Sequence, residues 1–167
     1  SKQTPTGDAY KYRDTPHLMR PNTNRPLDNY VGIPAVVSET RPFYTVAHLP
    51  AEVIAGNQLY TALDPDGFFF AIMSSSMFIT WQRAVGGQLK SDLRFSNTLV
   101  WNNLPLPEIS EDLRTKIIAA GQKILKVREA LAEKHGGRVS LADMYNPLAM
   151  NSELLKAHKE LDRHVDK

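Results

Sequence analysis

The 167-residue chain contains no cysteine, which excludes a disulfide framework and any thiolate zinc site. That is the usage expected of a reducing cytoplasm. An excess of one charge is also missing. Twenty Lys and Arg stand against 18 Asp and Glu, a formal net charge of +2. The chain is therefore no polybasic nucleic-acid binder, and any contact with DNA has to come from a local basic surface. Long apolar runs are absent too. The most hydrophobic stretch, Phe68 to Trp81, carries Ser74, Ser75, Ser76 and Thr80, and a membrane span needs roughly 20 largely apolar residues. The first thirty residues are polar and proline-rich, so no signal peptide is expected. Two glycine pairs, Gly86-Gly87 and Gly136-Gly137, each follow a helical pattern, whereas a dinucleotide or cofactor cradle follows a strand. The serine triplet has no Gly-x-Ser-x-Gly elbow around it. The histidines are isolated, no metal site is expected, and His158 reads as a core or interface residue.

What is present has a clear order. Residues 1–29 hold Pro5, Pro16, Pro21 and Pro26 among polar residues and read as an extended segment, a start that suits a piece of a longer protein. Strand-like runs follow at 30–37, 43–48 and 57–63. Asp64-Pro65-Asp66-Gly67 forms a turn whose acids can cap a buried helix over 68–85, which Gly86-Gly87 would end as a C-cap. Two more strands are expected at 89–95 and 98–101. Pro105 and Pro107 mark a boundary. Beyond it Ser110 caps a helix whose Leu113, Ile117, Ala120, Ile124, Val127 and Leu131 recur every three or four residues. Ser140 opens a short helix, and Ser152 is the expected cap of the last one, with Leu154, His158, Leu161 and Val165 on one face. The expected fold is α+β: a small mixed or antiparallel sheet with a buried helix, then a C-terminal helical subdomain packed as an antiparallel pair. The divisions are 1–29, 30–107 and 108–167.

The stretch from Gly86 to Pro107 sets Lys90, Asp92, Arg94, Asn97, Asn102 and Asn103 among apolar residues. These types can read base edges. Lys donates to guanine O6 and N7, Asp accepts from cytosine N4, and Asn bonds adenine in bidentate fashion. A solvated hairpin would use the same residue types. Between Trp81 and Asn103 the charged residues are Arg83, Lys90, Asp92 and Arg94, a local balance of +2. Arg41, with Lys11, Arg13, Arg20 and Arg25, is placed to add phosphate contacts if the fold gathers them.

The order of these residues is more telling than their types. Trp81-Gln82-Arg83 through Gly87-Gln88-Leu89-Lys90-Ser91-Asp92-Leu93-Arg94-Phe95-Ser96, then Trp101-Asn102-Asn103-Leu104-Pro105-Leu106-Pro107, resembles the target-recognition region of MmeI-like (type IIL) restriction–modification enzymes and related adenine methyltransferases. Tyr30-Val31-Gly32-Ile33-Pro34 with Ser38-Glu39-Thr40-Arg41 resembles the start of that region. Leu141 to Met150 and Ala157 to Asp162 resemble its helical tail. Gln88, Leu93 and Phe95 depart from the family's usual Arg, Tyr and Tyr.

The resemblance implies a piece that chooses a site on double-stranded DNA for a larger, cytoplasmic bacterial enzyme. That enzyme would methylate adenine N6 with S-adenosylmethionine and, in many members, cut DNA with a fused Mg2+-dependent nuclease. By resemblance, Lys90 and Asp92 read a base pair, and Arg41, Arg83, Ser91, Arg94, Ser96, Asn97, Asn102 and Asn103 support DNA binding. The piece itself is expected to catalyse nothing and to bind no cofactor. Asn146-Pro147-Leu148-Ala149 shares two letters with the Asn-Pro-Pro-Tyr catalytic box but lacks its stacking aromatic, and reads as a helix break. The missing partner would be the N-terminal methyltransferase domain. The alternative is a helical module for protein–protein contact within a DNA-modification complex.

Overall fold

The strand-forming run after Asn29 is shared between two sheets. In the computed structural model, which describes residues 26–166 together with Tyr10, Arg13 and Asp14, Tyr30–Pro34 (β1) and Val36–Val37 (β2) replace one expected strand. Ala35 is the joint. Its amide donates to the Gln58 carbonyl (2.8 Å), and its own carbonyl accepts from the Phe95 amide (2.9 Å). One antiparallel sheet has Ala47–Leu49 (β3), β1 and Leu59–Leu63 (β4) in that order. The other has β2, Asp92–Arg94 (β6) and Gly87–Leu89 (β5). The strand expected at 43–48 is cut to β3. Phe43, Tyr44 and Val46 bury their side chains in the core, and Phe43 stacks on His158 with ring centroids 3.9 Å apart. The segment 1–29 falls largely outside the described residues, as do Lys11, Arg20 and Arg25.

The expected helix over 68–85 is two helices. Phe68–Ser74 (α1) starts where the buried Asp64 carboxylate accepts from the Phe69 and Phe70 amides at 3.0 and 2.8 Å. This is the capping anticipated from the acidic turn. The chain then extends at Ser75, whose Oγ donates to Ile72 O (2.7 Å) and accepts from the Phe78 amide (3.2 Å). One hydroxyl therefore closes α1 and opens Ser76–Val85 (α2), as a serine outside helical geometry does.

Glu111–Lys134 (α3) carries the expected stripe, with Ile117, Ala120 and Ile124 buried. Gly136 and Gly137 close it with φ of 61° and 73°. Leu141–Met144 (α4) is short. Ser152–Val165 (α5) is capped by Asn151, one residue before the expected Ser152, because the amide oxygen of Asn151 reaches the Glu153 and Leu154 amides at 2.8 and 3.3 Å. Along α3 and α5, Lys123 meets Glu160 while Arg128 reaches His158 through Tyr145, so the two helices run antiparallel.

The buried α1 lies against α3 at a point that admits no side chain. A Cβ on Gly121 would stand 2.7 Å from the Cβ of Ala71 and 3.3 Å from its Cα. Gly121→Ala is therefore expected to lose about 1–2 kcal/mol in urea denaturation, overpacking outweighing the roughly 1 kcal/mol gained in helix propensity. Gln122→Ala, one residue round on the exposed side, should leave the midpoint nearly unchanged.

Candidate nucleic-acid interface

Hairpin β5–β6 turns through two residues, Lys90 and Ser91, with Leu89 paired to Asp92 and Gly87 to Arg94. Lys90 has φ 59°, the one non-glycine residue with positive φ among those described. Hairpins with two-residue loops use positive φ because it matches strand twist, and glycine or asparagine normally supplies it. Here a lysine does, at a local cost of about 1 kcal/mol. The side chain it puts at the tip is exposed and makes no hydrogen bond or ion pair among the described residues.

Strand alternation sorts the rest. Leu93 is buried, so Asp92 and Arg94 both face outward, about 6.6 Å apart along the strand. Asp92 is half-buried, and its Oδ1 accepts from the Glu39 amide at a long 3.4 Å. Arg94 is exposed, and its side chain also makes no polar contact among the described residues. The paired Gly87 has no side chain to crowd it.

The hairpin is held from behind by α2. Gln82 is fully buried and donates from Nε2 to the Arg94 carbonyl at 3.0 Å. Gly86 makes room for this contact: a Cβ there would fall inside the Gln82 side chain and 2.5 Å from its carbonyl oxygen. Gly86 has φ −76° and ψ 162°, so it is needed for close approach and not, as expected, for a left-handed helix cap. Gln82 Oε1 has no partner among the described residues.

The remaining candidates separate into braces and free groups. Arg83 donates from Nη2 to Glu39 O (3.1 Å) and Arg41 O (2.8 Å), and Arg41 donates from Nη1 to Ala142 O (2.5 Å). Both guanidiniums tie the loop after β2 to its surroundings, and that loop carries the amide facing Asp92. The segment expected to be a strand at 98–101 is a π-helical turn over Asn97–Trp101. Ser96 Oγ accepts from the Leu99 amide (3.3 Å), Asn97 Oδ1 from the Thr98 amide (3.0 Å), and Asn103 Nδ2 donates to Thr98 O (2.7 Å) and Leu99 O (3.1 Å). These polar side chains wind the backbone into a turn that alternation alone could not reveal. Ser91 and Asn102 are exposed, with no side-chain bond among the described residues.

Among α1, α3 and α5 lies a polar cluster that sequence spacing concealed. Arg128 is 6% exposed on the apolar face of α3 and has no carboxylate partner among the described residues. It donates to Val46 O (2.8 Å) and, from Nε and Nη2, to the Tyr145 hydroxyl at 2.8 and 2.6 Å. Tyr145 lies 2.6 Å from His158 Nε2, and His158 Nδ1 lies 2.9 Å from Ser74 O. Since a carbonyl only accepts, Nδ1 carries the proton, Nε2 accepts from Tyr145, and the imidazole is neutral. Burial first, then the Arg128 charge, push the His158 pKa down to about 3, against the opposing bond to Ser74. The core histidine anticipated from the sequence is thus part of a network joining α1, α3, α5 and the loop before β3.

The Gly136 and Gly137 amides donate to Glu133 O and Ala132 O, and the Gly86 amide donates to Gln82 O. No helix among the described residues is long and apolar enough to cross a membrane.

The hairpin is thus held by Gln82 of α2, and the loop beside it is tied to α4 through Arg41. The chain belongs to the MmeI family: residues 2–108 match the MmeI target recognition domain, and residues 109–167 match the MmeI C-terminal domain. It is 35% identical over 159 residues to DNA methyltransferase A of Bacillus subtilis (strain 168), covering 95% of this chain and 16% of that protein. It superposes on the type IIL restriction–modification enzyme MmeI in complex with DNA with a TM-score of 0.76 and 37% identity, covering 86% of this chain and 18% of that one. The chain thus spans about a sixth of each relative's length.

Proposed function

We propose that this chain selects the DNA sequence at which a larger N6-adenine methyltransferase acts. The observation that carries this reading is Lys90, without a side-chain partner among the described residues, at the tip of a two-residue turn, with Asp92 two residues on and the hairpin held from behind by Gln82. An exposed cation and a carboxylate on one rigid hairpin suit a G·C pair, Lys90 donating to guanine O6 and N7 and Asp92 accepting from cytosine N4. The site would then end in adenine followed by guanine. Ser91, Arg94 and Asn102 are available to the duplex. Arg41, Arg83, Ser96, Asn97 and Asn103 act mainly by holding the backbone in place.

The division falls at about residue 107, with residues 30–107 recognising and residues 108–167 supporting. S-adenosylmethionine belongs to a methyltransferase domain of the same protein, as does Mg2+ to any fused nuclease, and residues 1–167 catalyse nothing. A second reading, docking to protein through the helices, draws on an apolar hollow of about 440 Å³ lined by Met77, Trp81, Ala84 and Pro105.

Titrating this chain with duplex at several salt concentrations separates the two readings. DNA recognition gives affinity that falls steeply with salt, whereas protein docking gives weak DNA binding with a shallow response. Calorimetric titration with S-adenosylmethionine should show no binding, and saturable micromolar binding would overturn the division of labour.

A further inference from the structure

Two neighbouring residues of α2 hold two strands of the sheet that carries the hairpin. Gln82 fixes β6 at the Arg94 carbonyl, and Arg83 fixes the turn that continues β2. That turn runs from Ser38 to Arg41. The Arg41 amide closes it by donating to Ser38 O at 3.1 Å, and the Ser38 and Thr40 hydroxyls lie 3.1 Å apart across it. A single nitrogen, Arg83 Nη2, donates to Glu39 O (3.1 Å) and Arg41 O (2.8 Å), so both halves of the turn are pinned to α2. From the other side Arg41 Nη1 donates to Ala142 O at 2.5 Å. Ala142 is a firm anchor, because the Ser140–Asp143 capping box closes α4 and the Met144 and Tyr145 side chains that follow are buried.

The turn presents one group to the hairpin. Val37 pairs with Leu93, so the residues just beyond that pair come together, and the Glu39 amide donates to Asp92 Oδ1. At 3.4 Å this bond is near the limit of a useful contact, and a small shift of the turn removes it. While it holds, it fixes the rotation of the carboxylate and so the direction of Oδ2, which has no partner among the described residues. We infer that the Ser38–Arg41 turn is a specificity element: clamped between Arg83 and Ala142, it aims the Asp92 carboxylate and makes the C-terminal helices part of the choice of base pair. Arg83 and Arg41 are then positioning residues that act through the Glu39 amide and touch no base. A reading group has to be held to about 0.5 Å by its supporting shell, and that shell here is the turn.

This inference rests on Asp92 reading a base pair, and the experiment separates the two. In the full-length methyltransferase, Arg83→Met should lower the preference for the cognate pair at that one position by about tenfold and leave discrimination at the other positions intact. Arg83→Lys, which keeps the charge and a donor for the two carbonyls, should restore most of it. Arg41→Met should act in the same direction from the other end of the turn. Hydrogen exchange at the Glu39 amide should quicken in Arg83→Met. Combined with Asp92→Ala, Arg83→Met should cost no further preference, because the group it positions is gone. Wild-type preference in Arg83→Met, with preference lost in Asp92→Ala, would overturn the clamp and leave the base reader standing. Uniform weakening at every position, with the salt slope of log K lowered by about 0.9, would make Arg83 a phosphate contact and also overturn it. Unchanged preference in Asp92→Ala itself would end the base-reading assignment, and the role of the turn in specificity with it.

Discussion

Exchanging polarity at the hairpin tip, Lys90→Glu with Asp92→Arg in the full-length enzyme, is expected to move methylation from G·C to C·G at the final base pair and nowhere else. A well-placed side-chain pair discriminates between bases by about 1–3 kcal/mol, roughly tenfold to more than a hundredfold in preference. The geometry favours a local effect. Asp92 has one long bond to the Glu39 amide, and Lys90 has no side-chain partner among the described residues, so the exchange breaks little of the fold. Lys90→Gly is the companion variant. Glycine accepts φ 59° without strain, so stability should hold or rise slightly while discrimination at that pair is lost. Methylation-site mapping is the measurement. Retained activity with the final base unchanged would remove both residues from the reading surface.

The second large effect belongs to the buried network. Tyr145→Phe removes the one hydroxyl that accepts from Arg128 Nε and Nη2 and donates to His158 Nε2. The buried guanidinium would keep its bond to Val46 O but lose the acceptor of both Nε and Nη2. Leaving a buried charged group unsatisfied costs about 3 kcal/mol or more, and urea denaturation should show it. By contrast, Lys126→Ala, at an exposed position on the same helix, should change stability by less than about 0.5 kcal/mol.

The same network fixes a pH dependence. The His158 pKa lies near 3 in the folded chain and returns to its ordinary 6.5 on unfolding. Between those values the unfolded state binds the extra proton. The contribution of His158 is therefore complete above about pH 6.5 and is lost as pH falls towards 3. Asp162, its carboxyl raised first by burial, works in the opposite sense in acid. The informative quantity is thus the difference between wild type and His158→Gln, which should shrink steadily below pH 6.5. A constant difference would mean that the imidazole is not held neutral.

Much of this was legible along the chain because it is local. The period of Ile117, Ala120 and Ile124, the Ser110 cap, the acidic turn before Phe68 and the glycine pair after Lys134 each depend on neighbours within a few residues. The order of residues around Lys90 and Asp92 likewise carried the family resemblance. Other features depended on partners far away in sequence. Nothing near Arg128 shows that it is buried, because Val46 and Tyr145, which satisfy it, come from other elements. Ser75 looks like any small residue in an apolar helix until its hydroxyl is seen bonded on both sides.

What the sequence determined by itself was the helix over 111–134 with its caps and the acidic turn before Phe68, since periodicity and capping are local. The strand expected over 89–95 is instead broken by the turn at Lys90 and Ser91 into two paired strands. What the tertiary structure decided was which polar side chains are bonded and which are not. On the surface Arg83, Arg41 and Asn103 donate to backbone carbonyls, whereas Lys90 and Arg94 have no side-chain partner among the described residues. Inside, Arg128 and His158 are bonded because burying an unpaired polar group is costly, and their partners are brought to them only when distant strands and helices meet.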